Sequence, residues 1–235
     1  MQMGESILVQ SLDNSNDECQ SIKSRIDASD LKTDAKDFKQ QACKQWYDVR
    51  AFGQIFPFKG KAKGDGVSIP VRGPVSIHAA FSLEPVSITS TQITKSTNLE
   101  DTKDGKRGSD TMGMKHRVDF GIYVFYGSIN SQLASNETGT GFDDPDATKL
   151  KEALRTLFAN DASSARPDGS MEVINVVWWQ HDFPSGVISS AKVHGSLRDN
   201  VDTKTGQILD EGKLTLSFRK DEKDCQLKPD IIPGI

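Results

Sequence analysis

The residues best suited to chemistry in this 235-residue chain are cations set among glycines. Arg50, Lys59, Lys61 and Lys63 fall in the window 49–64 (VRAFGQIFPFKGKAKG), which holds no acid and so carries +4. Arg72, Ser76 and His78 follow in a β-branched run, and Lys95 closes a polar one. A second cluster, Lys115-His116-Arg117, comes directly after Met112 and Met114. Point charges, hydroxyls and backbone N–H groups on such segments bind phosphate oxygens. Flexible apolar side chains, Met included, wedge between bases and unstack them. The pattern fits a surface for a nucleic-acid backbone. It fits equally well a solvated basic loop beside two methionines in a surface hairpin.

Signatures of catalysis are thin. The chain has no phosphate loop of the Walker type, no G-x-S-x-G, no H-E-x-x-H and no C-x-x-C. The glycines between 60 and 66 are wrongly spaced to cradle a nucleotide. His181 and Asp182 are neighbours, so in a strand they point to opposite faces and do not converge on a metal. His181 and His194 read as surface or core polar groups, whereas His78 and His116 sit in basic polar contexts. Asp119 lies two residues from Arg117 on one strand face, which predicts a local salt link rather than catalysis. Neither a metal nor a cofactor is expected.

These groups need elements to hold them. Leu31, Ala35, Phe38, Ala42 and Trp46 recur on one helical face, with Asp27 or Ser29 as cap. Gly53, Gly60, Gly64 and Pro57 make 49–64 read as a loop. Residues 67–87 predict strands with a kink or bulge at Pro70, Gly73-Pro74 and Pro85. Residues 88–96 predict a polar strand with little to bury, projecting from the core, and 97–116 a polar excursion of both charge signs. In 117–129, Val118, Phe120, Ile122, Val124 and Tyr126 alternate with Tyr123 and Phe125, which predicts a strand central in its sheet. A helix over 146–159, with Asp144 as cap and Pro145 first, then leads through the turn Pro167–Gly169 to a strand over 171–180, a β-α-β unit. A short helix over 189–198, a turn at Thr205-Gly206 and a strand over Lys213–Phe218 complete the pattern. Residues 1–28 and those after Lys220 are polar and weakly patterned.

Lys plus Arg number 29 and Asp plus Glu 33, a net charge of −4. A protein that coats nucleic acid usually carries a basic excess. Residues 1–48 carry −3 and 199–235 carry −2, whereas the basic window carries +4. No apolar run approaches the ~20 residues of a membrane helix. The start, with only Ile7-Leu8-Val9 apolar and no basic region, does not read as a signal peptide. Three scattered cysteines, Cys19, Cys43 and Cys225, fit a reducing, cytoplasmic setting with no membrane partner.

Four long blocks carry a resemblance: DVRAFGQIFPFKGK (48–61), VRGPVSIHAAFSLEPVSITSTQITKSTN (71–98), SDTMGMKHRVDFGIYVFYGSINSQLA (109–134) and LKEALRTLFANDASSARPDGSMEVINVVWWQHD (150–182). From about Ala42 to Phe218 the chain resembles the backbone subunit of type I-C (Dvulg subtype) CRISPR Cascade complexes, of the RAMP superfamily. The resemblance implies an α+β fold: a modified RNA-recognition-motif, ferredoxin-like core with long insertions, one a thumb-like hairpin. It divides the chain into a polar segment 1–41, a domain 42–220 with its thumb at about 88–116, and a polar tail 221–235. It implies copies stacked head-to-tail in a helical filament along guide RNA (crRNA). With other Cascade subunits these present the guide to target DNA in antiviral defence. It implies no nuclease activity. Arg50, Lys59, Lys61, Lys63, Arg72, Ser76, His78, Lys95, Lys115, His116 and Arg117 would then face RNA, and Met112 or Met114 would displace a base. Residues 1–41 lack the family's opening strand and Asn-Gly-Asp-type loop, so the chain looks short at its start. Two other readings follow: a metal-dependent ribonuclease of the type III kind, using Asp101, Asp104 or Asp110, and a truncated remnant that binds nothing.

Overall fold

The computed structural model describes residues 4–10, 17–29, 31, 35–58, 67–95 and 112–235. Among these residues are six α-helices, a 3₁₀ turn and twelve strands that pair two by two, all antiparallel. The class is α+β, as expected, and is compatible with a ferredoxin-like core. The chain divides into two compact units, one of Met1–His78, Tyr126–Val201 and Gln207–Ile235, the other of Ala79–Phe125 and Asp202–Gly206.

The core of the first unit grows from the predicted helical stripe. Helix α2 (Ala35–Gln45) buries Phe38 and Ala42, and Trp46 follows at its end. They pack with Val49 of α3 (Tyr47–Phe52) and with Phe56, Ile69 and Val71 of the hairpin β1 (Gly53–Phe58) and β2 (Val67–Arg72). The Phe38 ring stands edge-on to Phe56 at 4.9 Å and to Phe58 at 5.1 Å, an arrangement favoured by the ring quadrupoles. The expected loop over 49–64 is thus helix and strand as far as Phe58. Gly53 makes the corner with φ of 82°, and a Cβ there would run into the Val71 carbonyl oxygen. Only glycine fits both conditions.

The start of the chain is ordered by polar anchors rather than by a periodic pattern. Leu8 is fully buried in the same core. The Asp48 carboxylate accepts the Leu8 and Val9 N–H groups, both at 2.9 Å, and Tyr47 N–H donates to the Ser6 carbonyl at 2.9 Å. Arg25, from α1 (Ile22–Asp27), donates to the Leu8 carbonyl at 2.6 Å. Neither expected cap of α2 holds: Asp27 ends α1, and the Ser29 hydroxyl donates to the Ile26 carbonyl.

A second cluster joins Tyr47, Ala51, Val75, Phe142 and Leu150. After the short α4 (Ser131–Ala134) comes α5 (Asp144–Arg155), capped by Asp143 rather than Asp144. The Asp143 carboxylate accepts the Asp146 N–H at 3.0 Å, and Asp146 returns the bond to Asp143 N–H at 3.3 Å. Reciprocal bonds of this kind satisfy orphan donors at a helix start.

The segment 117–129 is not one central strand. It ends β6 (Met112–Val118), which pairs with β5 (Ile88–Thr94). It continues as β7 (Tyr123–Val124) with β4 (Phe81–Ser82), and as β8 (Gly127–Ile129) with β3 (Val75–Ile77). Phe120 is 62 % exposed and Tyr123 46 %. Its two apolar faces therefore record exposed aromatics, not a strand buried on both sides. Residues 83–87 face 119–122, five against four, a register offset that supplies the expected bulge beside Pro85. Among the described residues of 79–125 no side chain is buried.

The expected β-α-β unit does not close into a shared sheet, because β8 pairs with β3 whereas β9 (Asn175–Trp179) pairs with β12 (Pro229–Pro233). The predicted strand over Lys213–Phe218 opens as a 3₁₀ turn, Glu211–Leu214, with Leu214 fully buried. Its carbonyl accepts the Trp179 indole N–H at 3.0 Å. Within the polar segment 221–235 lie two strands, β11 (Lys223–Leu227) and β12. Strands β10 (Leu216–Lys220) and β11 pair, and Lys151 of α5 lies 4.7 Å over the Trp178 ring while reaching Asp230 of β12 at 3.5 Å. The predicted helix near 189–198 is α6 (Ser190–Arg198).

Candidate nucleic-acid interface

The β5/β6 hairpin carries the second basic cluster, and its register sorts that cluster by face. Ile88 pairs with Val118, Ser90 with His116, Gln92 with Met114 and Thr94 with Met112. Cross-strand partners share a face and neighbours along a strand alternate. One face therefore holds Met112, Met114 and His116. The other holds Lys115 and Arg117 opposite Thr91 and Thr89, and Lys95 falls in phase with it just beyond β5. The sequence pattern set cations and methionines side by side. The ribbon puts them back to back.

Both faces are solvated, with Met112 66 % and Met114 56 % exposed. On the methionine face the His116 Nδ1 and the Ser90 hydroxyl lie 2.8 Å apart. On the cationic face the Arg117 guanidinium donates to Asp119 at 3.1 Å, the salt link read from the sequence. The Thr89 hydroxyl, then Arg117, hold the Asp119 carboxyl below its ordinary range. Lys59, Lys61 and Lys63 lie outside the described residues, as do Asp101, Asp104 and Asp110.

Arg50 is placed differently from the other candidates. Its guanidinium is inside the fold, bonded to Asp146 twice and to the Cys43 carbonyl at 2.8 Å, with Glu5 at 3.4 Å. Those partners account for the donors a phosphate would need. Its role is to tie α3 to α5. Arg72 is exposed at the end of β2, and Ser76 is exposed within β3.

His78 follows β3 directly and is exposed, its N–H donating to the Tyr126 carbonyl at 2.8 Å. His194 of α6 stacks on the Tyr126 ring at 4.6 Å and meets His78 edge-on at 5.9 Å. Nothing in the spacing of residues 78, 126 and 194 foretells this meeting, since it joins a ladder end to a distant helix. His181 is separate. Its Nδ1 accepts the Val187 N–H at 2.9 Å, and burial holds its pKa below the ordinary value against the pull of Asp182.

Among the described residues no group of three or more His, Cys, Asp or Glu could hold a metal ion. A family model described as CRISPR-associated protein Cas7 matches residues 1–219. The chain belongs to the Cas7 family. Comparison with curated proteins finds no match. Cas7 membership supports a CRISPR-associated, guide-RNA-binding backbone subunit of a Cascade-type complex, and it implies contacts with other CRISPR-associated subunits. Cas7 proteins are generally structural backbone subunits. The Cas7 match takes in residues 1–41, the stretch expected to fit the family least, in keeping with the place of Leu8 in the core. No helix among the described residues is long and apolar enough to cross a membrane.

Proposed function

We propose that this Cas7 chain is a type I-C backbone subunit that assembles head-to-tail on guide RNA in the cytoplasm. It presents the guide for pairing with target DNA and does not itself cleave. The observation that carries this reading is the two-faced β5/β6 ribbon. As a thumb, it turns Lys95, Lys115 and Arg117 toward phosphates. Met112 and Met114, on the other face, stand ready to separate bases. Lys59, Lys61 and Lys63, with Arg72 and Ser76, line the groove for the guide, and Arg50 acts from within the fold.

The test is the absorbance ratio at 260 and 280 nm of the purified chain, with sizing of any RNA recovered. Bound RNA, released by salt and rebound as multiples along a longer RNA, is the expected result. Nucleic-acid-free protein that ignores single-stranded RNA at low salt would overturn the proposal. Charge reversal at Lys59, Lys61 and Lys63 should weaken binding without sequence preference. An unchanged affinity would remove them from the groove.

A further inference from the structure

We infer that His78, held in place by His194 and Tyr126, is a stacking platform for one guide nucleobase. This rests on the reading that the chain binds RNA, and adds to it two residues and a mode of contact. The three rings meet where the β3/β8 ladder ends, yet none belongs to either hydrophobic cluster. Tyr126 and His194 are half-buried and nearly parallel, with planes 22° apart; His78 is exposed and stands at 90° to His194. The His78 N–H bond to Tyr126 fixes the backbone beneath its ring. A phosphate ligand needs only an N–H within reach. A platform needs its ring plane held, and holding ring planes is what this cluster does.

Every base has a π-face, so such a platform takes any base. That suits a guide whose sequence varies. Ser76, exposed within β3 two residues before His78, is placed for the adjoining phosphate or ribose.

The experiment is binding of a fluorescent single-stranded RNA to the full chain across a salt series, with ultraviolet cross-linking of the wild type. His78→Ala should lower affinity about 5- to 150-fold, the range for loss of one base–ring stack, and leave the slope of log affinity on log salt unchanged. His78→Phe should keep most of the affinity, His78→Lys should not, and His194→Ala should show a partial loss. Cross-links should fall on the peptide containing His78, a readout that stands even if a variant fails to fold. Unchanged binding by His78→Ala, full binding by His78→Lys, or a slope reduced by about 0.7 would overturn the platform while leaving RNA binding intact. A wild-type chain that binds no RNA would instead overturn the functional reading beneath it.

Discussion

Arg50 and Asp146 form a two-point ion pair, Nε to Oδ2 at 2.7 Å and Nη2 to Oδ1 at 2.8 Å, between side chains only 12 % and 5 % exposed. It joins α3 to the first turn of α5 across 96 positions of sequence. Glu5 extends the link by pairing with both Arg50 and Lys149.

Removing one partner of a buried pair strands the other charge, which costs about 3–5 kcal/mol. Arg50→Ala should destabilise the chain by that amount in urea unfolding. The fraction that remains folded should bind RNA as the wild type does. A variant of full stability that loses RNA binding would return Arg50 to the interface.

Asp146 also predicts an acid limb. Burial pushes its carboxyl up, but the Arg50 hydrogen bonds and charge outweigh that and hold it below the ordinary Asp value of 3.8. On acidification the unfolded chain therefore takes up this proton first. The stabilisation is complete above 3.8 and is lost as pH falls through the lowered folded value. Urea midpoints measured from pH 5 downward should fall less steeply for Asp146→Asn than for the wild type. Equal slopes would count against the pair as the source.

The two faces of the hairpin should separate in a salt titration. Lys115→Ala and Arg117→Ala should each weaken single-stranded RNA binding uniformly across sequences and lower the salt slope by about 0.7. Met112→Ala and Met114→Ala should lower affinity at an unchanged slope. Identical behaviour of the two sets would mean that the faces are not used differently.

His181 predicts a second pH effect. Its Nδ1 must stay unprotonated to accept the Val187 N–H, and burial lowers its pKa from 6.5. The unfolded chain protonates first, so the contribution is present above 6.5 and is lost as pH falls through the lowered folded value. An NMR titration should place the His181 midpoint below 6.5, with the Val187 amide shifting at the same midpoint. A midpoint at or above 6.5 would contradict this.

The sequence is most readable where burial is periodic. Phe38, Ala42 and Trp46 mark α2 because one face of it meets a core, and α5 declares itself through Pro145 and its acidic start. It is least readable where order comes from single long-range bonds. Leu8 reads as part of a three-residue apolar scrap until Asp48 and Arg25 hold it down. The C-terminal strands are too short for alternation to stand out, and β12 depends on β9 for its partner. For 117–129 the alternation is real but its cause is not burial, because Phe120, Tyr123 and Phe125 are exposed. In the candidate interface, residue types were enough to find the hairpin cluster. They could not show that Arg50 already has a carboxylate 96 positions away, or that Lys115 and Met114, neighbours in sequence, lie back to back.

The β5/β6 ribbon can also change length without disturbing a core, because neither of its faces is packed. Each inserted cross-strand pair advances the tip by ~3.4 Å, so the arm behaves as a ruler with fixed graduations. Two inserted pairs lengthen its reach and keep lysine and arginine on the same side. A single pair would turn every residue beyond it over, exchanging cation for thioether at a stroke. Insertions and deletions in this arm are therefore constrained by parity rather than by volume.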